Sequence, residues 1–428
     1  MPADLATTVR LTGDERAMLA GDAGEATRLA MRILVRLAPV YGATELLPVT
    51  RAHIDGCIYE GDAGLEFAER LADHGGAVRV PTSLNVVSLD RVRWQALGTP
   101  PAYAAKAERL AKAYLQMGCA PTFTCTPYQT AAAPSFGEQI AWSESNAVAY
   151  ANAVIGARTN RYGDYLDISC ALTGRVPAAG LHLDEPRLGT VLVRLVGVPT
   201  TLTERDDFYP VLGYLLGGLV DDEVSVVEGL NAAPTSDNLK ALAAAATTSG
   251  SVAHFHLVGI TPEAPTLAAA FGGRQPVRTL TIGPGDVRRA RASLTTVAAG
   301  APLDVVALGS PHCSLAECRA IAALAAGRRA ATGVEVFVTT SRAVWELLDR
   351  SGDLAILTTF GAVVTADTCF VVSPLVRPGA RSLMTNSAKY AHYAPGIVGA
   401  RAIFGSTADC IASAVAGRVK IEDGPWGN

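Results

Sequence analysis

The chain predicts an α/β fold with mostly parallel sheets flanked by helices, and three observations carry that expectation. Apolar strand-like runs alternate with helical patterns through the last two thirds of its 428 residues. The scheme set between residues 189 and 258 repeats in the last third, between 303 and 358. Dense polar clusters sit at the run ends, where α/β proteins place ligands.

The elements follow in order. Leu11–Leu37 opens on a capping-type Thr12-Gly-Asp-Glu and reads as two helices broken near Gly21. His53-Ile-Asp-Gly and Pro81-Thr-Ser-Leu-Asn read as strand-end loops, and Ala102–Met117 as an amphipathic helix. Ser143-Glu-Ser-Asn146 leads into a small-residue helix over Ala147–Ala157, with Arg158-Thr-Asn-Arg161 behind it. Strands are predicted over 189–197, 223–228 and 252–258, with helices over 209–217 and 236–248 between them. The scheme repeats with strands over 303–308, 334–339 and 354–358 and helices over 314–326 and 342–350. Gly283-Pro-Gly285 reads as a plain turn, since no Gly-Lys-Ser/Thr and no Gly-x-Gly-x-x-Gly makes it a phosphate loop. The boundaries predicted are an N-terminal α/β region over 1–185, a central one over 186–275 and a C-terminal one over 276–428.

Composition excludes several function classes. The net charge is −4, no Lys/Arg cluster occurs and aromatics are 6%, which argues against nucleic acid. Apolar stretches such as 189–198 and 334–339 fall far short of the roughly 20 residues that cross a bilayer, so no membrane partner is expected. The start, Met-Pro-Ala-Asp-Leu-Ala-Thr-Thr, has no secretion-signal pattern, and a cytoplasmic location is expected.

A reducing compartment turns attention to the eight cysteines. No Cys-x-x-Cys pair exists, and Cys57, Cys119, Cys318 and Cys410 suit a role as small buried hydrophobes. Cys125 in Thr-Cys-Thr-Pro-Tyr, Cys313 after Ser-Pro-His and Cys369 in Thr-Ala-Asp-Thr-Cys-Phe stand instead in short polar turns beside strand-like runs. That distribution suggests an inorganic cofactor clasped by distant loops. Near the C-terminus, Thr385-Asn-Ser-Ala-Lys-Tyr-Ala-His392 gathers an amide, a hydroxyl, an amine, a phenol and an imidazole, the inventory of a carboxylate site. Singly each residue has a plainer explanation: a lone His254 or His74 is structural, and Arg158 and Arg161 can cap a helix end.

The blocks Thr12-Gly-Asp-Glu-Arg-Ala-Met-Leu, Ala52-His-Ile-Asp-Gly, Pro81-Thr-Ser-Leu-Asn, Thr124-Cys-Thr-Pro-Tyr, Trp142-Ser-Glu-Ser-Asn-Ala, Gly156-Ala-Arg-Thr-Asn-Arg, Val258-Gly-Ile-Thr-Pro-Glu-Ala and Thr385-Asn-Ser-Ala-Lys-Tyr-Ala-His-Tyr, in that order, resemble the aconitase X family over nearly the whole chain. The resemblance implies a multi-domain aconitase-like architecture and a dehydratase of the aconitase superfamily. It implies an iron–sulfur cluster, of 2Fe-2S, 3Fe-4S or 4Fe-4S type, held by cysteines from separate loops. Cys125 and Cys369 are the firm candidates, with Cys313 and Cys170 competing for a third place, because Ser310 stands where many relatives have cysteine before Pro-His.

The chain resembles the family's large part without the fused small swivelling domain, so a separate small subunit bringing an active-site serine is implied. Water loss from a β-hydroxy acid needs removal of a weakly acidic proton beside a carboxylate while hydroxide leaves the next carbon, and an iron with an open position suits the second step. Lys389, Ser387 and Glu144 are the candidate catalytic residues. His53, Asn85, Asn146, Arg158 and Asn386 are the candidate substrate-binding residues. The family's substrates are cis-3-hydroxy-L-proline and mevalonate 5-phosphate, and with no extra basic cluster the first is preferred. A cluster-free α/β binding or regulatory subunit is the reading from a different class; a nicotinamide dehydrogenase fails for want of the glycine fingerprint.

Overall fold

Thr12 starts the first helix by the device its sequence announces. Its hydroxyl accepts from the Glu15 amide while the Glu15 carboxylate accepts from the Thr12 amide, and Gly21, at φ 103°, ends the helix Gly13–Ala20 before Glu25–Leu37 begins. The structure is a computed structural model and describes residues 9–427. The chain divides into two compact units: the first gathers the chain up to Ser88 with Pro100–Leu188, the second Leu89–Thr99 with the chain from Gly189 onward.

In the first unit, strands β1 (Leu46–Pro48), β2 (Ala52–Ile54), β3 (Thr82–Leu84), β4 (Ala141–Trp142) and β5 (Arg175–Pro177) form two sheets. The strands β1 and β5 pair antiparallel. The other three lie parallel in the order β3-β2-β4, so all three carboxyl ends open on one edge. The helix Pro101–Gln116 is amphipathic as its spacing predicts, burying Ala104, Ala107, Leu110, Ala111 and Tyr114. Of these, Leu110, Ala111 and Tyr114 join Leu65, Leu71, Leu84, Ile168 and Leu172 in one apolar core.

The second unit holds two parallel sheets. Strands β6 (Val191–Leu195), β7 (Ser225–Glu228), β8 (Phe255–Leu257) and β9 (Arg278–Ile282) run in the order β8-β7-β6-β9. Strands β10 (Val305–Cys313), β11 (Glu335–Thr340), β12 (Ala362–Ala366), β13 (Ser382–Thr385) and β14 (Arg401–Phe404) run in the order β12-β11-β10-β13-β14. Every residue of β10 is buried; its first half, Val305–Leu308, reads as the continuous apolar run predicted, and the strand continues past it through Gly309–Cys313. From β10 the chain winds outward through β11 and β12, then returns to the other side of β10 as β13. Ligands in such sheets bind at that switch point, beyond the carboxyl ends of β10 and β13.

Three expectations are corrected. Residues 354–358, predicted as a strand, lie in the helix Asp353–Phe360, which buries Leu357 and Phe360 three residues apart; the strand is delayed past Gly361 to β12. A short apolar run cannot be assigned by periodicity alone, and the flanking Gly352 and Gly361 are helix ends. Gly283-Pro-Gly285 is no plain turn: Pro284 opens the helix Pro284–Ser293, where its fixed φ is already helical. The segment predicted as one helix over 147–157 is α-helical over Ser145–Tyr150 and widens to a π turn over Ala151–Ile155.

Candidate active site

In the first unit the polar residues gather where the three parallel strands end. Asp55 follows β2, Asn85 follows β3, and Ser143 and Glu144 follow β4. Asn85 Nδ2 donates to Asp55 Oδ1 and, at 3.1 Å, to Glu144 Oε2. Glu144 Oε1 accepts from Asn146 Nδ2 at 2.6 Å, and that nitrogen also donates to the Cys125 carbonyl at 3.1 Å. Tyr128 donates to Asn146 Oδ1 at 2.7 Å and stacks on Tyr150. Thr124 pairs with the end of β3 through its amide and the Leu84 carbonyl, which brings the Cys125 loop to the same edge. The predicted residues Asn85, Glu144, Asn146 and Cys125 thus share one network, with Asp55 and Tyr128 added by the structure.

His53 lies on β2, fully buried, with Nδ1 2.8 Å from Ser83 Oγ; its Nε2 has no hydrogen-bond partner among the described residues. Burial pulls its pKa down to about 3, so the ring is neutral at physiological pH. Asn85 Oδ1 and Ser143 Oγ are also buried without partners among the described residues. Buried polar atoms of this kind normally find a partner, so their orphaned state marks this edge for a ligand. Burial first, then the neighbouring Glu144 and Asp164 carboxylates, raise Asp55 well above the usual carboxylate range.

Behind this edge, Asp167 accepts from the Asp55 amide at 2.8 Å and the Gly56 amide at 3.2 Å. Burial, with Asp164 next, raises it to about 7. An acid raised in the folded state contributes stability that is present below its unfolded value near 4 and lost as pH rises through about 7. The stability advantage of the natural chain over Asp167→Asn is therefore expected to shrink by about 4 kcal/mol between pH 4 and 8. Chemical denaturation across that range checks it; parallel curves for the two proteins would contradict it.

Two other predicted residues stand apart from this network. Arg158 donates to the His182 carbonyl at 3.2 Å and pairs with Asp184, so its guanidinium is committed to that loop. Cys170 sits inside the helix Leu166–Thr173 in the apolar core, where burial pushes its thiol well up.

In the second unit the switch point between β10 and β13 is open. Their ladder ends at Val306 and Met384, and beyond it lies a cavity of about 40 Å³ lined by Ser310, Cys313, Asn386, Ser387, Lys240 and Glu317 among others. Ser387 caps the helix Ala388–Val398 by accepting from the Tyr390 amide, and its hydroxyl donates to the Ser310 carbonyl. Asn386 Nδ2 donates to Thr407 at 3.1 Å, and Lys389 is half-buried in the first turn of the same helix. Cys313 closes β10 and packs into the apolar core with Cys318; that thiol's hydrogen bond and burial raise it well above the usual value.

Cys369 lies three residues past β12, on a loop tied to the β10 segment by His312 Nε2, which donates to the Thr368 carbonyl at 2.9 Å. Around it Thr365 Oγ1, Asp367 Oδ1, Thr368 Oγ1 and Ser373 Oγ are buried without hydrogen-bond partners among the described residues. Arg342 fixes the loop's start by pairing with Asp367 and with Asp90 at 2.9 Å. Among the described residues no group of three or more His, Cys, Asp or Glu is placed as a metal ion would need.

The β10 segment depends on Gly309. It has φ 108°, and a Cβ there would lie 2.2 Å from the Thr339 carbonyl oxygen. Gly309→Ala is expected to cost about 3 kcal/mol through backbone strain and overpacking, read as a lowered denaturation midpoint. An unchanged midpoint would show that the segment can relax.

Sequence reasoning missed Asp55, Ser83 and Tyr128 although each stands in a motif it quoted. It also missed Lys240, whose signal was a lysine on the Leu239, Leu242, Ala243, Ala246 face of the helix Ser236–Ser249.

Carboxylates, amides and loop cysteines at the carboxyl ends of parallel strands define an α/β enzyme equipped for acid–base chemistry on a small polar substrate. The family models for the aconitase X first, second and third domains match residues 8–185, 189–292 and 303–416. The chain is 52% identical to a cis-3-hydroxy-L-proline dehydratase of Pseudomonas aeruginosa over 96% of this chain and 70% of that protein. It is 37% identical to the phosphomevalonate dehydratase large subunit of Methanothermobacter thermautotrophicus over 92% of this chain and 96% of that protein. The crystal structure of Thermococcus kodakaraensis aconitase X (holo-form) superposes with a TM-score of 0.85 at 34% identity, over 95% of this chain and all of that one. The chain belongs to the aconitase X family and is a dehydratase, a hydro-lyase of that family. No helix among the described residues is long and apolar enough to cross a membrane.

Proposed function

We propose that the chain is the catalytic large subunit of a two-subunit enzyme that dehydrates cis-3-hydroxy-L-proline to Δ1-pyrroline-2-carboxylate. The observation that carries this reading is the 52% identity to a dehydratase of that name, against 37% for a phosphomevalonate dehydratase large subunit. The cavity at the β10/β13 switch point supports it. Its lining includes one lysine, Lys240, whose ammonium already has three acceptors, so the cavity offers little to a phosphate. A small subunit is taken from the name of the relative whose length this chain nearly spans, and the resemblance assigns it the active-site serine.

An iron–sulfur cluster fits part of the donor set. Cys125, on a loop docked at the end of β3, and Cys369, on the loop past β12, stand among buried polar atoms, whereas Cys170 and Cys313 are packed in apolar cores that disfavour their thiolates. Cys125 and Cys369 are the proposed ligands. When bound, such a cluster supplies a Lewis acid for a departing hydroxyl.

The chain's own residues do the rest. Asn85 and Asn146 hold the Glu144 carboxylate in one orientation, and neutral His53 offers Nε2 to the substrate as a hydrogen-bond partner. Asp55, whose carboxyl burial and then Glu144 raise well above the usual carboxylate range, is the proposed proton donor to the leaving oxygen. Lys389 and Asn386 are proposed to receive the substrate carboxylate, and Ser387 to hold the segment that shapes the cavity. Arg158 has no part in this proposal, because its guanidinium is paired. The test is co-expression with the small subunit, anaerobic purification and assay of water loss from cis-3-hydroxy-L-proline and mevalonate 5-phosphate side by side. Turnover of the phosphate ester alone would overturn the reading.

A further inference from the structure

Lys240 is 2% exposed and carries an ammonium with three donors, all of them engaged. They reach Asp237 at 3.0 Å, Glu317, and the His312 carbonyl at 3.2 Å. The same two carboxylates grip the start of the helix Leu315–Ala325: Ser314 Oγ donates to Asp237 at 2.7 Å and the Ser314 amide to Glu317 at 2.8 Å. The buried ammonium and its two partly exposed carboxylates are costly to bring together unless each is paired, and hydrophobic residues of similar volume would hold two helices together as well or better. What they do here that apolar packing could not is fix one backbone segment, Gly309–Ser314. Its pairing register with β11 slips between Leu308 and Cys313, and it carries Ser310, His312 and Cys313.

We propose that Lys240, with Asp237 and Glu317, is a positioning residue that holds the Ser310–Cys313 segment in place at the β10/β13 cavity. The inference rests on the reading that this cavity belongs to the dehydratase site. Lys240 does not itself bind substrate, since its donors are spent and the two carboxylates outweigh its charge. It acts through the His312 carbonyl. His312 in turn holds the Thr368 carbonyl, so the clamp reaches the Cys369 loop as well.

The test uses the full chain with its small subunit. Lys240→Met is expected to lower kcat at least ten-fold with KM for cis-3-hydroxy-L-proline within about two-fold, and to speed amide hydrogen exchange at 309–314 at least ten-fold. The triple variant Lys240→Met, Asp237→Asn, Glu317→Gln removes the unbalanced charges; it is expected to regain thermal stability while kcat stays low. Should both fold poorly, Ser314→Ala, which removes one contact of the clamp, is expected to show the same kcat-only loss on a smaller scale with faster exchange at 309–314. Wild-type kcat and exchange in the triple variant, or in Ser314→Ala where that variant is the one that folds, would overturn the proposal. If the unmodified pair turns over no cis-3-hydroxy-L-proline, the functional reading fails, while exchange at 309–314 still decides the positioning.

Discussion

Cys125→Ser and Cys369→Ser are each expected to abolish most dehydratase activity, with kcat/KM falling roughly 10²–10⁴-fold, the worth of several kcal/mol of Lewis-acid stabilisation. Both residues are 5–6% exposed and lie on loops outside helices and strands, so serine changes little volume and the folded state is expected to survive. Cys170→Ser and Cys313→Ser are expected to leave bound iron unchanged, because their side chains pack in the apolar cores of the two units. Iron and acid-labile sulfide, counted per chain after anaerobic purification, separate these outcomes. Full iron in Cys125→Ser, or iron lost in Cys170→Ser, would refute the ligand assignment.

Glu144→Gln is the second large effect. The Glu144 carboxylate accepts from two amide groups at once, Asn85 Nδ2 on one oxygen and Asn146 Nδ2 on the other. Glutamine of the same shape has one acceptor oxygen, so one of the two amides would face another amide nitrogen and turn away. The loss then includes the orientation of Asn85 and Asn146 and the raised pKa of Asp55, which Glu144 helps sustain. A fall in kcat of roughly 10²–10⁴-fold is expected, the usual contribution of a positioned acid–base group. The pH at which Asp55 loses its proton is expected to move down, visible as a shifted basic limb of the pH–rate profile. A variant with unchanged kcat and profile would remove Glu144 and Asp55 from the chemistry.

Much of this was legible in the sequence because the fold repeats one simple unit. The alternation of Val/Leu runs with Ala-rich helical patterns announced parallel sheets, and the polar blocks at run ends announced the carboxyl edges where Asn85, Glu144 and Asn386 now stand. What stayed hidden has physical reasons. Leu354–Phe360 buries two residues in a spacing that a five-residue window cannot tell from a strand. Asp55 looked like a turn residue, since a carboxyl's protonation depends on burial and on Glu144, which is 89 positions distant in sequence. Lys240 gave a local signal, one charge on an apolar helix face, but its meaning required the His312 carbonyl and Glu317, which only tertiary structure supplies. Arg158 shows how a polar block can be read more than one way: in the structure its guanidinium pairs with Asp184 and donates to the His182 carbonyl, contacts that only tertiary structure supplies.

The proposed substrate is a hydroxylated imino acid and not a phosphate ester. The most direct measurement is the ratio of kcat/KM for the anaerobically prepared two-subunit enzyme on cis-3-hydroxy-L-proline and on mevalonate 5-phosphate, followed by product formation under identical conditions. Turnover of cis-3-hydroxy-L-proline is expected to be at least a thousand-fold better, roughly the discrimination a site without a phosphate partner can impose. Equal turnover, or preference for the phosphate ester, would contradict it.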